Sequence, residues 1–134
     1  MSETQNTTVV RDAYAAFGRG DIPALLACMT DDVQWRPVIG TAKHVPFSGE
    51  RTGKAGVAEF FRIVGETEDF QQFEPREFVA EGDTVVAVGH YRATTRGTGK
   101  TFESDFVMVF TFRGGKVATF REYTDSAAIN AAFA

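Results

Sequence analysis

SDFVMVFTFRGGKVATFREYTD, residues 104–125, is the stretch on which the reading of this chain turns. Phe106, Met108, Phe110 and Phe112 occupy every second position, the spacing of side chains on one face of a β-strand. Val107, Val109 and Thr111 between them are nearly as apolar. A strand buried on one side alternates apolar with polar residues. This one offers two greasy faces. The Gly114-Gly115 pair then reverses the chain into a second strand that runs to Thr124.

Register decides which residues of that second strand share a face with Met108 and Phe110. A three-residue loop, Arg113-Gly114-Gly115, with Gly115 in a left-handed bulge position, pairs Phe112 with Lys116. Ala118, Phe120, Glu122 and Thr124 then fall on the Met108 side. A two-residue loop puts Val117, Thr119, Arg121 and Tyr123 there instead, because a slip of one residue exchanges the faces. The first row has the aromatic that matches Met108 and Phe110, and it is adopted here.

Working outward, residues 73–80, 84–95 and 100–112 read as strands too, with turn chemistry at Glu81-Gly82-Asp83 and Gly97-Thr98-Gly99. Short connections make the four strands an antiparallel meander. The N-terminal half has the other period. Val10, Ala13, Tyr14 and Phe17 mark the stripe of an amphipathic helix ended by Gly18-Arg19-Gly20. Asp21 caps a second helix with Pro23 in its first turn. Residues 31–38 form a short strand, and residues 39–53, rich in Gly and Pro, a loop. Thr52 caps a third helix faced by Val57, Phe60, Phe61 and Val64, and Asp125 caps a short terminal one. The whole, residues 1–134, reads as a single α+β domain with helices on one side of a curved sheet. The other side, with Val107, Val109 and Thr111, has no element left to cover it. A homodimer through that outer sheet face is the expectation.

Composition narrows the function classes. The chain carries a net charge of −4 and has no basic cluster, which argues against nucleic acid and against anionic membrane as partners. Its polar N-terminus lacks a signal peptide's charged and apolar regions, and no apolar run reaches membrane length, so a cytoplasmic location is expected. With two His and one Cys, no spacing resembles a metal site, and no metal or cofactor is expected. Cys28 lies in an apolar helical run and reads as a packed hydrophobe.

YAAFGRGD (14–21), DDVQW (31–35), PFSGERTGKAGVAEFF (46–61) and FRGGKVATFREYTD (112–125) together resemble the SnoaL-like branch of the NTF2-like superfamily, which includes ketosteroid isomerase and polyketide cyclases. The resemblance covers nearly the whole chain. It implies a cone in which a curved antiparallel sheet wraps three helices around a deep apolar pocket, with an apolar small molecule as ligand. By strand parity and by similarity to ketosteroid isomerase, Val86, Val88, His90 and Arg92 are expected to point inward. Trp35, Tyr14, Phe60, Phe61, Val64, Phe106, Met108, Phe110 and Phe120 complete the expected cup. Glu122, His90 and Arg92 are the candidate catalytic groups: Glu122 as base, His90 as proton partner, Arg92 as orienting group. An ion pair of Glu122 and Arg92 at the rim is the plainer alternative. Asp105 alternates to the back face. In the loop, Lys43, His44, Glu50 and Arg51 could serve as a mobile lid selecting an anionic ligand, or as solvated surface charges.

The sequence also departs from the isomerase. Arg36 or Pro37 stands where that enzyme has its carboxylate base, Met108 where it has a protonated acid, and Ala13 where it has a tyrosine donor. Two functions follow. One is acid/base chemistry on an apolar, carbonyl-bearing ligand, of the isomerase, cyclase or hydrolase type; the other is ligand binding or assembly without turnover.

Overall fold

The computed structural model, which describes residues 2–134, begins with a capping box. The Ser2 hydroxyl accepts the Gln5 N–H at 3.1 Å and the Gln5 amide oxygen accepts the Ser2 N–H at 2.9 Å, which starts α1 (Glu3–Gly18). The helix thus takes in the polar segment before its apolar stripe. Asp21 accepts the Ala24 N–H at 3.1 Å and opens α2 (Ile22–Ala27). There follow β1 (Met29–Arg36), β2 (Arg51–Thr52), α3 (Gly53–Thr67), β3 (Glu68–Glu81), β4 (Thr84–Thr95), β5 (Thr101–Arg113), β6 (Lys116–Thr124) and α4 (Ser126–Phe133). Asp125 caps α4 through the Ala128 N–H. Thr52 stands at the N-cap of α3 without capping it, because its hydroxyl bonds Gln34 Oε1 across the β1–β2 pair instead.

The strands form one sheet in the order β2-β1-β6-β5-β4-β3. The last four strands are the expected antiparallel meander. The sheet as a whole is mixed rather than antiparallel, since β1 runs parallel to β6. The long chain between those two strands permits that orientation.

The β5–β6 hairpin corrects the expected loop. Gly114 and Gly115 both have positive φ, 60° and 80°, and form a two-residue turn, with Arg113 opposite Lys116 and Phe112 opposite Val117. The register then shifts, and Thr111 faces Thr119. Ala118 is the extra residue, so the bulge sits inside β6 and not in the turn. Val117, rather than Ala118, belongs to the inner row. Beyond the bulge Phe110 faces Phe120 and Met108 faces Glu122, the pairing on which the reading of the site depends.

On β4 the expected parity is reversed. Val85, Ala87, Tyr91 and Ala93 are buried on the inner face, and Val86, Val88, His90 and Arg92 lie on the outer one. Residues directly opposite in a ladder share a face. Ala87 faces Met108 and Gly89 faces Phe106, so both must follow those side chains inward. Small residues are needed there: a Cβ on Gly89 would lie 2.4 Å from Phe106 Cζ and 2.3 Å from the Glu74 carbonyl oxygen.

The two greasy faces of β5 now separate. Phe106, Met108 and Phe110 enter the core against the helices. Val107 and Val109 pair with Val88 and Val86 on the outer face, where Val79 and Tyr123 are 59% and 45% exposed. No helix among the described residues is long and apolar enough to cross a membrane.

Candidate functional site

A cavity of about 90 Å³ lies between the inner sheet face, α1, α3 and the segment after β1. Its walls are aromatic. Trp35 on β1 is paired in register with Phe120 on β6, which stacks their rings at 3.8 Å and 15°. Phe60, Phe61 and Val64 come from one face of α3, Tyr14 from α1, and Met108 and Phe110 from β5. Phe106 is buried behind this wall, stacked between Tyr91 and Phe73. Val88 is on the far side of the sheet and takes no part.

Residues 39–50 are pinned to the body. Val45 and Phe47 are buried, Phe47 lines the cavity, and the His44 N–H donates to Asn130 Oδ1 at 2.7 Å. A mobile lid does not fit this anchoring, and Lys43 and Glu50 face solvent.

Glu122 is 5% exposed and sits in the cavity wall. Its Oε1 accepts the Val38 N–H at 3.1 Å and its Oε2 the Tyr91 hydroxyl at 3.0 Å. Val38 adopts φ of 47°, a left-handed conformation in which a β-branched residue is strained. From that conformation its N–H donates to the carboxylate. Burial pushes the Glu122 carboxyl up from the usual carboxylate range, and the Val38 and Tyr91 donors oppose the push. Tyr91 Oη also lies 2.8 Å from Thr124 Oγ1. Burial, then the charge of Glu122, hold the Tyr91 phenol above its ordinary value, so it stays a neutral donor.

Glu68, the first residue of β3, is a second carboxyl in the same wall, also 5% exposed. No hydrogen-bond partner reaches its Oε2. Burial, with the charge of Glu122, pushes its carboxyl up to about 8. Two donors face Glu122 and none faces the Glu68 Oε2, so of the two carboxyls Glu122 is the better held as an anion. The Trp35 Nε1 is likewise buried without an acceptor. Tyr14 donates to Met108 Sδ at 3.0 Å.

His90 and Arg92 do not reach the cavity. Across the outer face, His90 Nδ1 lies 2.7 Å from Asp105 Oδ1 and Nε2 2.7 Å from Glu103 Oε1. Arg92 is exposed beside them. The polar companions of Glu122 are Tyr91 and Glu68, both of which the sequence reading passed over. Tyr91 was within reach of it: Gly89 in the row opposite Phe106 and Met108 is the signal for the inner face. Glu68 carried a weaker signal, two residues before Phe70 and directly after a helix, where an acid ordinarily faces water.

A groove of about 590 Å³ between α1 and β3 lies outside the cavity. Tyr14, Phe17, Phe70 and Phe73 line both, so one layer of aromatic side chains divides them.

A family model described as a SnoaL-like domain matches residues 10–120. The chain is 36% identical to an NTF2-like protein from Burkholderia xenovorans LB400, with 100% of this chain and 99% of that one covered and a TM-score of 0.90. It is 29% identical to an NTF2-like protein from Burkholderia thailandensis E264, covering 100% and 99%, with a TM-score of 0.86. TerC, crystallised with polyporic acid, is 29% identical over 96% and 98% of the two chains, with a TM-score of 0.78. No curated protein matches significantly.

Proposed function

This chain belongs to the SnoaL-like family of NTF2-like proteins, and from that premise we propose that it is a small-molecule enzyme carrying out acid/base chemistry on an apolar, carbonyl-bearing ligand. The observation that carries the proposal is Glu122, a carboxylate sunk in an aromatic cavity and held by the Tyr91 hydroxyl and by the N–H of a strained Val38. A carboxylate with its affinity for protons raised by burial is a general base suited to neutral pH. Tyr91 holds the carboxylate in place and, staying neutral, can follow its change of charge. The reaction is of the isomerase, cyclase or hydrolase type. Steroid isomerisation by the resembled enzyme's own groups does not fit, because Met108 and Ala13 occupy the positions of its acid and its tyrosine. TerC, crystallised with polyporic acid, supports a small organic ligand for this cavity.

Glu122→Gln tests the proposal against the second reading, binding without turnover, which the vacant isomerase positions favour. In a screen of small ketones and enones, wild-type turnover that disappears in Glu122→Gln while affinity stays is the expected result. Binding without turnover by the wild type refutes it.

We also propose a cytoplasmic homodimer joined through the outer sheet face. The half-buried Val86, Val88 and Val107, with exposed Val79 and Tyr123, make a patch that a second copy would bury. Equilibrium sedimentation should return a dimer; a monomer at micromolar concentration refutes this.

A further inference from the structure

Two bulges in the edge strand β3 shape the groove between it and α1. Phe70, Phe73 and Phe78 stand at odd spacings, which in a regular strand put successive side chains on opposite faces. All three nevertheless share the inner face, since they lie opposite Ala93, Tyr91 and Ala87, buried inner residues of β4. Gln71 is the extra residue between Phe70 and Gln72, and Arg76 the extra one between Pro75 and Glu77; each restores the parity by one. The three rings stay half-buried. From α1 the small residues Ala15 and Gly18 line the same groove, and a Cβ on Gly18 would meet nothing within 4 Å. At about 590 Å³ the groove falls in the range of small-ligand pockets, roughly 300–1,000 Å³.

Its charge is one-sided. Among the described residues that line it, Arg11 is the only charged one, in a chain of net charge −4. Arg11 Cζ stands 4.3 Å over the centre of the Phe78 ring. Stacking occupies the face of a guanidinium and leaves its N–H edge free. Arg19, Arg62, Arg76, Arg96 and Arg113 each hold an acid, whereas Arg11 has no ion-pair partner among the described residues. A cation fixed on an aromatic wall with its donors unspent suits a planar anion that can accept two of them.

We propose that this groove is a second ligand site, separate from the enclosed cavity, for a flat aromatic carboxylate, its ring against Phe70 and Phe73 and its carboxylate on the N–H edge of Arg11. Ring contact supplies the apolar burial, and the ion pair selects the acid over a neutral analogue of the same shape. Glu122 lines the cavity and not the groove, so the inference stands apart from the acid/base reading.

Cinnamate and cinnamamide are the probes: one flat skeleton, ending in a carboxylate or in a neutral amide. In an amide NMR titration of the full chain, cinnamate should move the signals of Phe70, Phe73 and Phe78, and bind about tenfold more tightly than cinnamamide. Arg11→Gln, at an exposed helix position, should erase that preference. Ala15→Trp, which fills the groove from another exposed position of α1, should abolish binding of both. Four results overturn the inference: no binding of cinnamate at millimolar concentration, signals that move around Trp35 instead of along β3, an unchanged preference in Arg11→Gln, or undiminished binding in Ala15→Trp.

Discussion

Replacing Glu68 by Gln should stabilise the protein, and by an amount that grows with pH. In the unfolded chain the Glu68 carboxyl titrates near its ordinary 4.5; in the folded protein it holds its proton up to about 8. Below 4.5 the proton is bound in both states, and Gln and neutral Glu are close equivalents. Between the two values only the folded state binds the proton, so wild-type stability falls as pH rises. Each pH unit crossed removes about 1.4 kcal/mol. At pH 7 two and a half units of that window are behind, and Glu68→Gln should be about 3 kcal/mol more stable than wild type. At pH 5 the gain should be under about 1 kcal/mol, and above pH 8 it should level off. Glu122 is present in both proteins, so the comparison cancels its titration to first order. Urea midpoints for the two proteins at pH 5, 7 and 8.5 measure the difference directly. Equal gaps at every pH would refute the buried, proton-bearing Glu68 and the reasoning built on it.

Other positions give sharper structural tests. His90, whose two ring nitrogens meet Asp105 and then Glu103 with Glu74 nearby on β3, should titrate above 6.5 in an NMR pH series. Its stabilising contribution is complete below 6.5 and disappears as pH rises through the raised folded value; a midpoint at or below 6.5 contradicts the bridging geometry. Gly89→Ala drives a Cβ into the Phe106 ring and the Glu74 carbonyl, and should lower stability by about 1–3 kcal/mol in a denaturant titration, where no loss would contradict the inward register of β4. Phe120→Ala removes the partner stacked on Trp35 and should lower stability by about 3–5 kcal/mol. It should also shift the Trp35 emission, and an unchanged spectrum would contradict the stacking.

What the sequence by itself determined follows from local rules. Period-2 and period-3.6 hydrophobicity, Asp21 and Asp125 as caps, and the Gly-Gly reversal set the elements and the meander, because each depends on residues a few positions apart. Glu122 was read onto the inner face correctly, though by way of a bulge in the turn that lies instead at Ala118. Tertiary structure alone decided the rest. Which face β4 turns inward depends on the bulk of Phe106 and Met108 on a neighbouring strand, and that bulk put Tyr91 beside Glu122 and sent His90 and Arg92 out to the acids of the far face. Thr52 left its helix for Gln34 on another strand. Glu68 is an ordinary acid in the sequence; it becomes an unpaired buried carboxyl only because strand, helix and sheet close around it. Desolvation is a property of everything that surrounds a group, and no neighbouring letter in the chain records it.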